Sequence, residues 1–263
     1  MYSKVDYIFR SWSSAYKQTD RQSSTEMHTM STGTFFGLLA ICVVAQCQLF
    51  DALYKYVIDK AADTTIPVST LNQPVNVSIG MSLIQLTSLD PKSGDTEFEV
   101  WMSYEWTDTR LSWNRPTFNG TRMIRLPASK IWNPDVRLYN GHTSTREVLA
   151  VVESTGSVMH MPPATLKTRC DVSNYTTDGT VTCRLKFGSW TYDGFLLNPV
   201  TASWNDVDVS DYNPSGTVWD LTGHKAERNV RYYSCCPEPY ADVNFFFTFT
   251  KKGKRYNGWS IFG

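Results

Sequence analysis

"EFEVWMSYEWT", residues Glu97 to Thr107, alternates apolar and polar side chains with period two. Phe98, Val100, Met102, Tyr104 and Trp106 fall on one face, and Glu97, Glu99, Trp101, Ser103 and Glu105 on the other. A strand turns successive side chains to opposite sides, so the pattern predicts a strand with one buried face and one wet face. Trp101 is the exception, a large ring on an otherwise polar face with no obvious core to enter.

The pattern extends in both directions. "NVSIGMSLIQL" sets Val77, Ile79, Met81 and Leu83 against Asn76, Ser78, Gly80 and Ser82, a second half-buried strand. Further short apolar runs are separated by the turn-rich stretches "NRPTFNG", "WNPD", "YNGHTS" and "VSDYNPSG". Helical spacing is confined to "LFDALYKYVIDKAAD", Leu49 to Asp63, with apolar residues at 49, 50, 53, 54, 57, 58 and 61. Short strands with regular punctuation predict an all-β sandwich or barrel of about 210 residues in one domain, preceded by one amphipathic helix.

Twenty-five basic residues balance twenty-five acidic ones, and no basic stripe for nucleic acid is visible. Nine Trp, fourteen Tyr and thirteen Phe are many; aromatics favour strands, and some of these are candidates for a recognition surface. "FFGLLAICVVA", Phe35 to Ala45, is uncharged but shorter than the roughly 20 residues a membrane-spanning helix needs. It fits the apolar region of a secretory signal peptide cleaved after Ala45 or Cys47, with translation starting at Met27 or Met30; a membrane anchor is the alternative. The expected organisation is an N-terminal extension that is non-native or disordered (1–29), a signal peptide (30–47), a binding domain (48–252) and a basic tail (253–263). No segment after Asp51 is apolar enough to span a membrane. The mature product is expected to be secreted and extracellular, in a synaptic space or body fluid. Sequons at Asn76, Asn119 and Asn174 agree with that route.

Beyond the leader four cysteines remain, an even number for an oxidising compartment. Cys170 and Cys183 enclose twelve residues, "DVSNYTTDGTVT"; closing such a loop contributes roughly 3 kcal/mol in the chain-entropy model. A structural staple is the ordinary reading, and no histidine sits at zinc-finger spacing. Cys235 and Cys236 are adjacent in "YYSCCPEPY". Their Cα atoms, about 3.8 Å apart across a trans peptide, permit only a small strained ring. Free thiols, or bridges to other chains, are the alternative. Pro237 and Pro239 stiffen the backbone while Tyr233 and Tyr240 bracket the pair, which favours a loop tip built to close over something.

"YYSCCPEPYADVNFFF" resembles the closing loop on the principal face of nicotinic-type Cys-loop receptor extracellular domains. In the expected order, "IWNPDVRLYNG" is similar to that family's first aromatic loop and "LKFGSWTY" to its second, while "EVWMSYEW" is similar to the strand of its complementary face. The resemblance covers roughly residues 48 to 252. The membrane receptors carry a thirteen-residue cysteine loop with an apolar Phe-Pro-Phe segment. Here the loop is polar and encloses twelve residues, and the chain stops after its last strand, as in the soluble acetylcholine-binding proteins of molluscs.

The resemblance implies an immunoglobulin-like β-sandwich of about ten strands with one N-terminal α-helix, assembled as a homopentamer. It implies a binding site between subunits for acetylcholine and related quaternary or tertiary amines, without a cofactor or metal. Tyr139, Trp190, Tyr233, Cys235, Cys236 and Tyr240 would form the principal face, with the two cysteines bonded as a contact cap. Trp101, Val151, Met159 and Met161 would form the complementary face of the neighbouring subunit. Physically, a quaternary ammonium donates no N–H hydrogen bond, and aromatic faces attract it by roughly 0.5–2 kcal/mol per ring. Several rings thus supply micromolar affinity, about 8 kcal/mol, without an ion pair. Asp206, Asp208 and Asp211 read as a solvated acidic loop, with attraction of cations as the alternative.

An enzyme is not expected. His28, His142, His160 and His224 are scattered, and the sequence has no Gly-x-Ser-x-Gly, His-Glu-x-x-His or phosphate-binding glycine loop. The alternative to a secreted binding protein is the extracellular ligand-binding domain of a pentameric ligand-gated channel.

Overall fold

The computed structural model describes residues 49–68, 73–203 and 206–253. The expected extension, the signal peptide and the tail beyond Gly253 lie outside the described residues. Helix α1 covers residues 49–58 and buries Leu53 and Val57, one turn apart. It stops before the expected Asp63: Lys60 and Ala61 donate to the Val57 carbonyl and the last turn tightens. The threonines at 64 and 65 and Pro67 beyond it are poor helix formers.

From Val75 the regular structure of the described chain is mostly β. Its strands are β1 (Val75–Leu89), β2 (Asp95–Thr107), β3 (Met123–Pro127), β4 (Val136–Leu138), β5 (Gly141–Thr145) and β6 (Leu149–Glu153). They continue with β7 (Ser157–His160), β8 (Pro163–Arg169), β9 (Thr180–Ser189), β10 (Leu197–Thr201), β11 (Trp219–Tyr233) and β12 (Cys236–Lys251). Twelve strands stand where about ten were expected, because short pieces such as the three-residue β4 pair separately. One sheet runs β10-β1-β2-β7-β6-β3, with β8 on β2 and β5 on β8; the other runs β11-β12-β9-β4. Among the named strands of the described residues, only β1 and β10 pair in parallel.

The two sheets form a sandwich. Phe98 of β2 meets Phe247 and Phe249 of β12 with ring centroids 5.5 and 6.1 Å apart. The run "NFFFTFT" works as a strand because Phe245, Phe247 and Phe249 all turn into this core, each contributing roughly 1.5–3 kcal/mol by burial. Phe246 points the other way, beneath the Lys225 ammonium, 4.8 Å from its ring centroid. The Cys170–Cys183 bond joins the end of β8, in the first sheet, to β9 in the second. The loop between them carries a single helical turn, α2 (Tyr175–Asp178), and exposes only polar side chains.

Two sequence readings are corrected here. Gly80 and Ser82, assigned to a wet face, are buried, because the acidic segment lies along β1. Leu83 donates to the Asp208 carbonyl and Asp208 to that of Met81, while Ser82 Oγ donates to the Asp208 carboxylate at 3.2 Å. Asp208 is therefore an edge-pairing residue and not part of a freely solvated loop. Asp206 meets His224 Nδ1 at 3.0 Å, and Asp211 alone is fully exposed.

Candidate functional site

The short β4 delivers Tyr139 to the end of the four-stranded sheet. Its N–H donates to the Lys186 carbonyl at 2.8 Å. Asn140, next along, donates to the Arg184 carbonyl and accepts from the Lys186 N–H, which pins the turn to β9. The Tyr139 hydroxyl donates to the Ser189 carbonyl. Burial first, then the charges of Asp135 and Asp242, pushes its pKa up to about 12, so the phenol stays a neutral donor.

Trp190 follows immediately after β9, and its backbone is clamped by Asp135. That carboxylate accepts from Ser189 Oγ at 2.6 Å and from the Thr191 N–H at 2.7 Å, and also from the Thr191 hydroxyl. The Trp190 N–H itself donates to the Asp135 carbonyl at 3.3 Å. The result is a rigid backbone carrying an open ring: Trp190 is 71 % exposed. Its ring stands edge-on to Tyr139, centroids 5.9 Å apart and planes at 70°.

The β11–β12 hairpin supplies the remaining rings. Tyr233 and Tyr240 contact edge to face at 5.4 Å, on either side of the tip, where Cys235 and Cys236 are bonded to each other. The tip reaches the loop after Trp190, where the Gly194 N–H donates to the Pro239 carbonyl at 2.7 Å. A Cβ on Gly194 would lie 2.7 Å from that same oxygen, so the contact requires glycine. Beneath the rings, Lys186 Nζ pairs with Asp242 Oδ2 at 3.0 Å, the two side chains only 18 % and 6 % exposed. Asn229 and Asn244 complete the hydrogen bonding of Asp242. The lysine lies 5.6 Å from the Tyr139 centroid, but Asp242 offsets its charge and the outer face of the cluster remains open to a cation.

The structure thus brings Tyr139, Trp190, Tyr233, Cys235, Cys236 and Tyr240 into one region. It does not bring Trp101, Val151, Met159 and Met161 there within one chain. Those four share the outer face of the eight-stranded sheet. Met159 is directly opposite both Glu105 and Val151, and Val151 is opposite Arg125. This gives a transverse row of carboxylate, two apolar side chains and guanidinium. Trp101 and Met161 sit further along the same face, by alternation from Glu105 and Met159, and both are half-buried. The cavity beneath the principal rings, lined by Tyr139, Tyr192, Tyr233 and Tyr240 among others, measures only about 90 Å³. Small-molecule pockets run from roughly 300 Å³ upward, so this cavity falls well below that range.

Sequence reasoning missed Asp135, Lys186, Tyr192 and Asp242. All four stood inside the quoted segments, but only the spatial pairing of β4, β9 and β12 shows what they hold. The sequons are all exposed: Asn76 on β1, Asn119 with φ of 51° and Asn174 capping α2. The Asn76 side chain also accepts a hydrogen bond from Asn198 at 2.8 Å.

Residues 50–253 match the neurotransmitter-gated ion-channel ligand binding domain. The chain is 35 % identical over 226 residues to acetylcholine receptor subunit alpha-type acr-16 of Caenorhabditis briggsae, covering 82 % of this chain and 44 % of the relative. It is 36 % identical over 199 residues to acetylcholine receptor subunit alpha-L1 of Schistocerca gregaria, covering 71 % and 36 %. With neuronal acetylcholine receptor subunit beta-4 of Homo sapiens it shares 33 % over 227 residues, covering 82 % and 45 %. The chain therefore spans less than half the length of these relatives. Among the described residues, no helix is long and apolar enough to cross a membrane. With an aromatic cluster at one end of a two-sheet sandwich and a match over 204 consecutive residues, the chain belongs to the neurotransmitter-gated ion-channel ligand-binding domain family.

Proposed function

We propose that this protein captures acetylcholine and other cationic nicotinic ligands in aromatic cages at the interfaces of a homopentamer, and that it does so as a secreted binding protein. One observation carries the reading: Trp190 is held on a rigid backbone with its ring 71 % exposed, edge-on to Tyr139 and close in sequence to the Tyr192 that lines the cavity. A large ring fixed in the open awaits a ligand or a partner surface. Trp190 is the main cation platform in this reading, and Tyr139, Tyr233 and Tyr240 form the walls. The Cys235–Cys236 tip closes over the guest. Trp101 of the adjacent subunit completes the cage, with Met159, Met161 and Val151 as the apolar wall. A head-to-tail ring whose rotation closes makes every interface equivalent.

The water-facing cysteine loop between Cys170 and Cys183 supports secretion as a soluble particle. Its exposed positions are Asp171, Ser173, Asn174, Thr176, Thr177 and Asp178. The second reading, the extracellular domain of a channel subunit, is favoured by the relatives' names and greater length. A transcript extending this chain into membrane-spanning segments decides for that reading. For binding itself, the test is calorimetric titration with acetylcholine alongside light scattering. Saturable uptake by a five-chain particle, one ligand per interface, is expected. No saturable heat, or equal affinity in a single-chain species, overturns it.

A further inference from the structure

The turn between the 3₁₀ segment Arg115–Phe118 and β3 carries one of the three sequons in a conformation the other two lack. Asn119 is the one non-glycine residue with positive φ among the described residues, at φ 51° and ψ 37°, and Gly120 follows at φ 73°. The Thr121 N–H donates to the Phe118 carbonyl at 3.0 Å, and Thr121 Oγ1 donates to the same oxygen at 2.7 Å. Two successive left-handed residues closed by that backbone bond make a type I′ turn, for which Asn-Gly is a preferred pair. The turn has room around it. Asn119 and Gly120 are exposed, and a Cβ on Gly120 would meet nothing within 4 Å.

Phe118 opens this turn and is only half-buried. Its ring packs against Tyr56 of α1, centroids 5.3 Å apart and planes at 49°. That contact fixes the ring while part of it stays in water. The other two sequons have no such neighbour. Asn76 stands inside β1 opposite Asn198, between the buried Val75 and Val77. Asn174 precedes Tyr175, but that ring packs on Trp219 at 5.9 Å and its hydroxyl accepts from Lys251 Nζ at 3.3 Å.

We propose that the Phe-Asn-Gly-Thr turn, Phe118 to Thr121, is an N-glycosylation site whose first N-acetylglucosamine stacks on the Phe118 ring and locks the turn. A β-linked pyranose presents one face of axial C–H bonds, and an aromatic face is electron-rich, so the two attract. Stacking also removes apolar surface of both from water. In the transfer, Asn119 Nδ2 bonds to C1 of the sugar and gives up one proton. The bond from C1 to the oxygen of a lipid-diphosphate oligosaccharide donor breaks, and the diphosphate leaves with the electron pair. The inference needs only that the domain is exported, which both readings above share, and not that it binds an amine.

The test uses protein secreted from eukaryotic cells, with glycopeptide mass spectrometry and heat unfolding. Asn119 should carry a glycan. Asn119→Gln should lower the unfolding midpoint by about 2–4 °C more in the otherwise native chain than in the Phe118→Ala background, at matched occupancy. The backbone cost of replacing Asn119 at positive φ is common to both backgrounds and cancels. An exported protein with Asn119 unmodified overturns the proposal, and so do equal midpoint shifts in the two backgrounds. A chain that stays in the cytosol with all three sequons bare overturns it as well, and takes export down with it. Should Phe118→Ala fail to be secreted, trimming a high-mannose glycan decides, with the other sequons removed by Ser78→Ala and Thr176→Ala. Endoglycosidase H leaves one N-acetylglucosamine and should hold the midpoint within about 1 °C, whereas full removal by peptide N-glycosidase F should lower it by about 2–4 °C. Equal midpoints after the two digestions overturn the proposal.

Discussion

Gly188 lies against the Tyr139 ring so closely that a Cβ there would sit 2.6 Å from the phenolic oxygen and 2.9 Å from Cζ. The ring cannot simply retreat, because Leu138 is paired with Phe187 and the Tyr139 N–H is bonded to Lys186. Gly188→Ala should therefore tilt Tyr139 off its seat and away from Trp190. A loss of about tenfold in acetylcholine affinity, ~1.4 kcal/mol, is expected by calorimetry. An unchanged affinity means that Tyr139 is no wall of the site.

Trp190→Ala separates binding from folding. An exposed ring contributes little to stability, so the unfolding midpoint should hardly move, within about 0.5 kcal/mol. Binding of a quaternary amine should weaken by at least about 2 kcal/mol, as for a central hot spot. Parallel calorimetry and urea unfolding read the two quantities. Equal losses in both would make Trp190 a structural residue.

The Lys186–Asp242 pair makes the opposite case. Lys186→Met leaves the buried Asp242 carboxylate without its cation, and removal of one partner from a buried pair costs about 3–5 kcal/mol. The double variant Lys186→Met, Asp242→Leu should recover much of that loss in denaturant unfolding, since no charge is then stranded. A double variant as unstable as the single one would show that packing, and not charge, is at stake.

Much of this architecture was legible in the chain. Period-two alternation placed β1 and β2 because Ile79, Met81, Phe98 and Val100 have one dry side to turn to. Trp101 announced itself by breaking that alternation. Asp135 was unreadable for a different reason: the groups that donate to its carboxylate, on Ser189 and Thr191, lie more than fifty residues away. Asp208 misled because a carboxylate in a polar run looks solvated, while its backbone is what pairs with β1. Local pattern reports which side of an element is dry; it does not report which distant segment covers the other side.

Tyr139 also sets a pH dependence. Its folded pKa is raised to about 12, against about 10 for a free tyrosine. Between these values the unfolded chain has lost the proton that the folded chain retains, so stability falls as pH rises. The contribution is complete below about pH 10 and is lost as pH rises through about 12. Tyr139→Phe should flatten this part of the alkaline decline, measured as urea midpoints across that window. An identical slope in both proteins would assign the decline to other groups.

The proposed site, shared between the two sheets of neighbouring chains, permits a test by mixing. Trp101 and Trp190 lie on surfaces that one chain does not bring together, so Trp101→Ala and Trp190→Ala particles should each lose high-affinity acetylcholine binding. In particles co-assembled from equal amounts of both chains, some interfaces join the intact Trp190 of one chain to the intact Trp101 of the other. For random head-to-tail assembly this applies to about a quarter of interfaces, whatever the ring size. Recovery of ~25 % of wild-type sites, at wild-type affinity, is the expected titration. A site contained in one chain predicts no recovery at all, because every chain in the mixture lacks one of the two rings.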